Sequence, residues 1–118
     1  MVTLDDILVD HITTKIEQDN LVPQLLYLCN ENLINEIKEI GSNIALDVAS
    51  KMQGTNPYDL SMRITADQEN ESLLSNSKAA QEANARHDTT LRICDRIASA
   101  EVAMKVMEDL RSKYGEPQ

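Results

Sequence analysis

The sequence has no phenylalanine and no tryptophan, and only three tyrosines, three glycines and three prolines among its 118 residues. β-Sandwiches and β-barrels need glycine and proline at their turns and usually carry aromatic side chains on their strands. The scarcity of these residue types therefore predicts an all-α fold whose core consists of Leu, Ile, Val, Met and Ala. At this length we expect a single domain over residues 1–118.

Basic residues are also scarce, since 11 Lys and Arg stand against 20 Asp and Glu and give a net charge of −9. Proteins that bind phosphates along a nucleic acid need a surplus of Lys and Arg, so we expect no direct nucleic-acid binding. The same charge disfavours an anionic membrane surface. The imbalance is uneven, because residues 1–60 carry a net charge of −7 and residues 61–118 only −2.

The simplest interpretation of this charge is a solvated acidic surface that keeps the protein soluble. The alternative is an acidic surface that docks on a basic partner or imitates nucleic acid. The candidate residues for that surface lie in the acidic first half of the chain: Asp5, Asp10, Glu36, Glu39 and Asp47.

Long apolar runs are missing, and none approaches the ~20 residues that a membrane-spanning helix needs. The first residues have neither the basic nor the apolar region of a secretion signal. We therefore expect a cytoplasmic protein or a virion component that is made in a cytoplasm. Cys29 and Cys94 lie far apart on helical segments, which predicts two buried thiols.

The first half of the chain predicts two helices. Thr3 is a good N-cap for a short helix over 3–18. A second, long helix is predicted over 21–53, with Pro23 in its first turn and apolar residues at every third or fourth position. Gly41 leaves two possibilities open, a break between two helices or one helix with a bend. The apolar stripe keeps its phase across Gly41 and favours one helix.

The second half predicts a turn or connector over 54–64 and a third helix over 65–113, before a frayed tail at 114–118. Thr65 and Gln68 have the spacing of a capping box, which predicts the start of that helix. Asp88 offers an alternative restart after a break. A heptad-like seam includes Arg86 and Arg111, whose guanidinium groups either mark fraying or bind acids on a neighbouring helix.

No motif in the sequence carries recognisable chemistry. The two histidines and two cysteines lack the spacing of a zinc site, and three glycines cannot supply a phosphate-binding loop. Paired acids such as Glu108 and Asp109 are typical of solvated helix faces. We therefore predict no catalytic residues, no metal, no cofactor and no enzyme activity.

Together these features predict a long antiparallel helical hairpin with a short N-terminal helix folded onto it. Two helices cannot cover the wide apolar arc of the second run, so a homo-oligomer, a dimer or higher, is predicted to complete a helical bundle. The predicted function is a self-associating adaptor, assembly or chaperone-like factor that binds another protein. The alternative is an acidic inhibitor of a basic site. The candidate interface residues are apolar: Ile93, Ile97, Met104, Met107, Leu33, Ile37 and Ile44.

Overall fold

A computed structural model describes residues 1–69 and 78–115 of the chain, and every regular element in these ranges is a helix. The predicted all-α class is confirmed. The part of the predicted third helix at 70–77 and the last tail residues, 116–118, lie outside the described residues. The helices in chain order are α1 (Leu4–Gln18), α2 (Val22–Leu26), α3 (Asn30–Met52), α4 (Pro57–Glu69), α5 (Lys78–Ala98) and α6 (Ala100–Tyr114).

Helix α1 begins as the sequence predicts. The Thr3 hydroxyl accepts a hydrogen bond from the backbone N–H of Asp6, and the Asp6 carboxylate accepts one from the backbone N–H of Thr3. This reciprocal capping box satisfies two donors that the first turn would otherwise leave unpaired. Asn20, with a φ of 57°, then ends the segment in the left-handed conformation that Asn tolerates.

The single helix predicted over 21–53 is corrected to two helices, α2 and α3. The break lies at Tyr27–Cys29, where no glycine or proline marks it. Cys29 is extended, with φ −67° and ψ 162°, and its carbonyl accepts the first hydrogen bond of α3. The corner buries Leu25 and Leu26 and leaves Tyr27 and Cys29 at the surface.

Gly41, the position at which a break was considered, lies inside the continuous helix α3 and is buried. A Cβ atom at this position would lie 2.7 Å from Cγ2 of Ile97 on α5 and 3.1 Å from Cδ1 of Ile12 on α1. Glycine is therefore required here for close helix packing and not for a turn.

Helix α3 is the centre of the fold, because it contacts each of the other five helices. It runs antiparallel to α5 and α6, as the contacts Gln53–Thr90 and Asn30–Arg111 show. Helix α1 runs parallel to α6, with Asp5 beside Lys105 and Glu17 beside Tyr114. Among the described residues, the other helices bury much of the apolar arc of α3, the arc from which a second copy is predicted, and Met52 stays exposed.

The connector predicted over 54–64 and the helix start at Thr65 are also corrected, since α4 spans Pro57–Glu69. The Asn56 side chain accepts a hydrogen bond from the backbone N–H of Asp59, and Pro57 occupies the first helical position. Thr65 lies inside α4, where its hydroxyl donates to the carbonyl of Ser61. Burial of Leu60 against the core favours the helix in this segment.

The third predicted helix is interrupted at Ser99 and not at Asp88, which lies within the continuous helix α5. Ile97 and Val102 are five residues apart, so they would point about 140° apart in an unbroken helix of 3.6 residues per turn. The extended residue Ser99, with ψ 148°, resets the phase. Both side chains then lie in one core.

We predict that Gly41→Ala lowers the free energy of unfolding. The gain in helix propensity is about 1 kcal/mol, whereas overpacking against the β-branched Ile97 costs about 1–3 kcal/mol. Urea denaturation should show the loss, and the exposed neighbour Ser42→Ala should stay within about 0.5 kcal/mol of wild type. Adding Ile97→Leu, which removes the methyl beside Gly41, should recover part of the loss. Strictly additive effects in the double variant would contradict the close approach.

Candidate functional site

Most of the predicted interface residues lie inside the single chain. Five of the seven are buried, and a partner could contact them only after the core rearranges: Leu33, Ile37, Ile93, Ile97 and Met107. Ile44 is half-buried. Met104 is 43% exposed and is the one residue of the seven whose side chain lies at the surface.

The exposure of Met104 corrects the predicted seam of the last helix. The heptad-like seam runs through Met104 and predicts that Val102, Val106 and Leu110 lie on its flanks. The structure buries those three side chains completely. The step of five residues from Ile97 to Val102 is the sequence signal that could have indicated this shift.

The predicted acidic residues do not form one continuous free surface. Asp5 and Asp10 lie on α1, and the other three lie on α3. Asp5 binds Arg96 and Lys105, and Asp47 binds Lys51 at 3.0 Å. Within the part of the chain that the structure describes, no ion pair reaches Asp10, Glu36 or Glu39.

The strongest polar arrangement is the Asp5 cluster, which consists of Asp5, Arg96, Glu101 and Lys105. The Arg96 guanidinium donates from Nε and Nη2 to the two carboxylate oxygens of Asp5, at 2.9 and 2.7 Å. Nη2 also donates to Glu101 at 2.8 Å, and Lys105 Nζ donates to Asp5 at 3.2 Å. The cluster therefore joins the first turn of α1 to both sides of the α5–α6 break.

The electrostatics of the cluster follow from these bonds. The hydrogen bonds from Arg96 lower the pKa of Asp5 below its usual value, although partial burial opposes them. The same bond raises the pKa of Arg96, with a further contribution from Glu101. Both shifts favour the charged forms of Asp5 and Arg96. Elsewhere, the bond to Glu17 raises the pKa of Tyr114.

Of the two seam arginines, Arg86 binds an acid on a neighbouring helix, as one of the two interpretations predicts, whereas Arg111 binds an asparagine. Arg86 donates from Nε and Nη2 to Asp67 of α4, at 3.2 and 2.8 Å. Arg111 donates to the side-chain oxygen of Asn30 at 2.6 Å. These contacts hold α4 and the start of α3 against the last two helices.

An open groove of about 570 Å³ runs between α1 and α6. Its walls contain four carboxylates, two lysines and one valine: Asp6, Asp10, Glu108, Asp109, Lys105, Lys113 and Val9. The lysines are paired at the two ends, Lys105 with Asp5 and Lys113 with Glu17. This lining offers mixed charge for surface contacts, and it contains no nucleophile and no histidine.

No group of three or more His, Cys, Asp or Glu side chains could hold a metal ion within residues 1–69 and 78–115. The two cysteines predicted as buried thiols are both exposed, which is a correction. Cys29 lies at the α2–α3 corner, and Cys94 lies on the outer face of α5. Cys94 is exposed because its neighbours Ile93 and Ile97 occupy the side of α5 that faces the core.

The aromatic side chains are the functional candidates that sequence reasoning missed. Tyr27, Tyr58 and Tyr114 are 76%, 72% and 49% exposed, so the only three aromatic residues of the chain lie on its surface. Met52, Met62 and Met104 are exposed as well. One signal in the sequence indicates this placement: each tyrosine lies either outside the predicted apolar stripes or at the end of one.

No protein-family model, curated protein or solved structure matches the chain. Among the described helices, none combines the length and the hydropathy that crossing a membrane requires.

We predict that Ile97→Asp unfolds the protein, whereas Met104→Asp does not. Ile97 is buried against Gly41, so an unpaired charge there costs several kcal/mol by order of magnitude. Met104 is exposed, and a charge there should change the free energy of unfolding by about 1 kcal/mol or less. Far-ultraviolet circular dichroism during thermal denaturation measures both. A folded Ile97→Asp variant would contradict the burial of this position.

We also predict a pH dependence that depends on Asp5. Because its pKa is lower in the folded state, the stabilisation is fully present above the unfolded pKa of about 3.9 and is lost as the pH falls through the lower folded pKa. Asp5→Asn should reduce the free energy of unfolding at pH 7 and flatten its decline below about pH 4. Asp10→Asn is the matched α1 control at neutral pH. Parallel pH profiles for wild type and Asp5→Asn would refute this role.

Proposed function

We propose that this protein is a non-enzymatic binding protein that acts through protein–protein contacts and associates with itself. One observation carries the proposal: the core contains no aromatic side chain, and all three tyrosines lie on the surface. Tyrosine combines a large apolar area with a polar hydroxyl and few rotatable bonds, so it is enriched where proteins bind one another. The surface position of all three tyrosines therefore makes them available for contact with a partner, which supports a binding function.

The outer face of α4 is the best-defined part of this surface. Tyr58 and Met62 are four residues apart, so they are neighbours on one side of the helix. Leu60, Ile64 and Asp67 lie on the opposite side, which packs towards the core and Arg86. Methionine adapts its shape to different partners. Tyr58 and Met62 thus form an apolar face that no other part of the described chain covers.

The ion pairs favour this proposal over the acidic inhibitor. A mimic of nucleic acid needs carboxylates that are free to bind a basic site. Of the five candidate carboxylates, Asp5 binds Arg96 and Lys105 within the chain, and Asp47 binds Lys51. The three without an ion pair among the described residues are divided between two helices, Asp10 on α1 and Glu36 and Glu39 on α3. For the other protein that it binds, the net charge of −9 favours basic residues around the contact area.

The test compares wild type with the double variant Tyr58→Ala/Met62→Ser. We expect a molar mass above 13.2 kDa for wild type in light scattering over a micromolar concentration series. We expect a mass closer to the monomer for the double variant, because it loses exposed apolar area and no core contact. The matched control is Leu91→Ser, an exposed apolar position on α5.

Two outcomes would contradict the proposal in different ways. A wild type of monomer mass at every concentration would refute self-association. An association that persists in Tyr58→Ala/Met62→Ser and weakens in Leu91→Ser would place the contact on α5 and reject the α4 face.

A further inference from the structure

The α5–α6 break has no local cause in the sequence. Residues 78–114 contain neither glycine nor proline. Ser99 is extended, but its hydroxyl does not cap α6 and instead donates to the carbonyl of Arg96 at 2.7 Å. The residues around it, Arg96–Ala103, are mostly good helix formers. Contacts with other helices must therefore select the broken conformation.

The sequence also supplies a complete apolar stripe for an unbroken helix. Leu91, Cys94 and Ala98 are exposed on α5. In an unbroken helix they would continue at steps of four residues into the next apolar positions: Val102, Val106 and Leu110. The same segment therefore fits two conformations, and the broken one leaves half of this stripe in solvent.

Arg96 discriminates between the two conformations. It binds Glu101 across the break at 2.8 Å. Residues five apart in a continuous helix point about 140° away from each other and cannot form such a pair. Arg96 also binds Asp5, with 2.7 Å between Nη2 and the carboxylate, and this pair holds α1 against the junction. The guanidinium thus has both of its partners only when the helix is broken and α1 is docked.

We propose that the Asp5 cluster is a conformational lock: when Arg96 releases Asp5 and Glu101, α5 and α6 join into one helix and α1 leaves the core. Joining the helices turns Val102, Val106 and Leu110 away from the core in which α6 packs against α1. Docking of α1 and the break at Ser99 then form one cooperative unit. The proposal does not depend on the proposed binding function.

The experiment uses Arg96→Met, which keeps the aliphatic stem and removes the guanidinium. The matched control is Arg92→Met, one turn earlier on α5, because Arg92 forms no ion pair within the described residues. A third substitution, Ala100→Pro, prevents the unbroken helix. Proline is tolerated at the first position of α6, where the N–H needs no acceptor, but not in a helix interior.

The measurement is amide hydrogen exchange over Leu8–Ile16 of α1, with the α3 amides of Ile37–Val48 as the internal reference. We expect Arg96→Met to accelerate α1 exchange about tenfold, the effect of losing a charged bidentate pair. Arg92→Met should leave it unchanged. Arg96→Met/Ala100→Pro should return it close to the wild-type rate, since the unbroken helix is then forbidden.

Three results would overturn the proposal. Equal exchange in Arg96→Met and Arg92→Met would show that the cluster does not hold α1. Fast exchange that persists in Arg96→Met/Ala100→Pro would show that α1 leaves without joining of the helices. Unfolding of the single variant Ala100→Pro, seen by circular dichroism, would show that residue 100 is not the first residue of a separate helix.

Discussion

The close approach of three helices at Gly41 is the constraint on which the rest of the structure depends. With no side chain at this position, Ile12 of α1 and Ile97 of α5 both reach the backbone of α3. Helix α3 can then contact α1 on one side and the last two helices on the other. A methyl group at residue 41 would displace Ile97, whose β-branched side chain has little rotational freedom. The position of α5, and through Arg96 that of α1, follows from this contact.

The sequence predicts the features of this fold that depend on neighbouring residues. The all-α class follows from composition, and the start of α1 follows from Thr3 and Asp6, whose hydrogen bonds lie within one turn. Thr65 has a similar local pattern but lies inside α4, because burial of Leu60 extends the helix before it. A capping box forms only where other contacts do not hold the residues before it in a helix.

The contacts that determine the candidate site join residues far apart in the chain, and they could not be predicted in the same way. Arg96 binds Asp5, which lies 91 residues away in the chain, so no local pattern around Arg96 indicates this partner. The breaks at Tyr27–Cys29 and Ser99 lack glycine and proline, so local propensity does not indicate them. Only the five-residue step from Ile97 to Val102 indicated one of them, since a single helix cannot bury both side chains against one neighbour.

The absence of aromatic side chains from the core connects the packing with the surface. Aliphatic side chains have small volumes, and they allow the approach at Gly41 that a ring at Ile12 or Ile97 would prevent. Aromatic residues can then occur only where packing does not exclude them, at the α2–α3 corner, on the outer face of α4 and at the end of α6. Their large apolar area remains in contact with water there, which is unfavourable, and folding of the single chain does not bury it. A partner that covers Tyr58 and Met62 would bury this apolar area, and for this reason we propose that any binding site lies on the surface and not in the core.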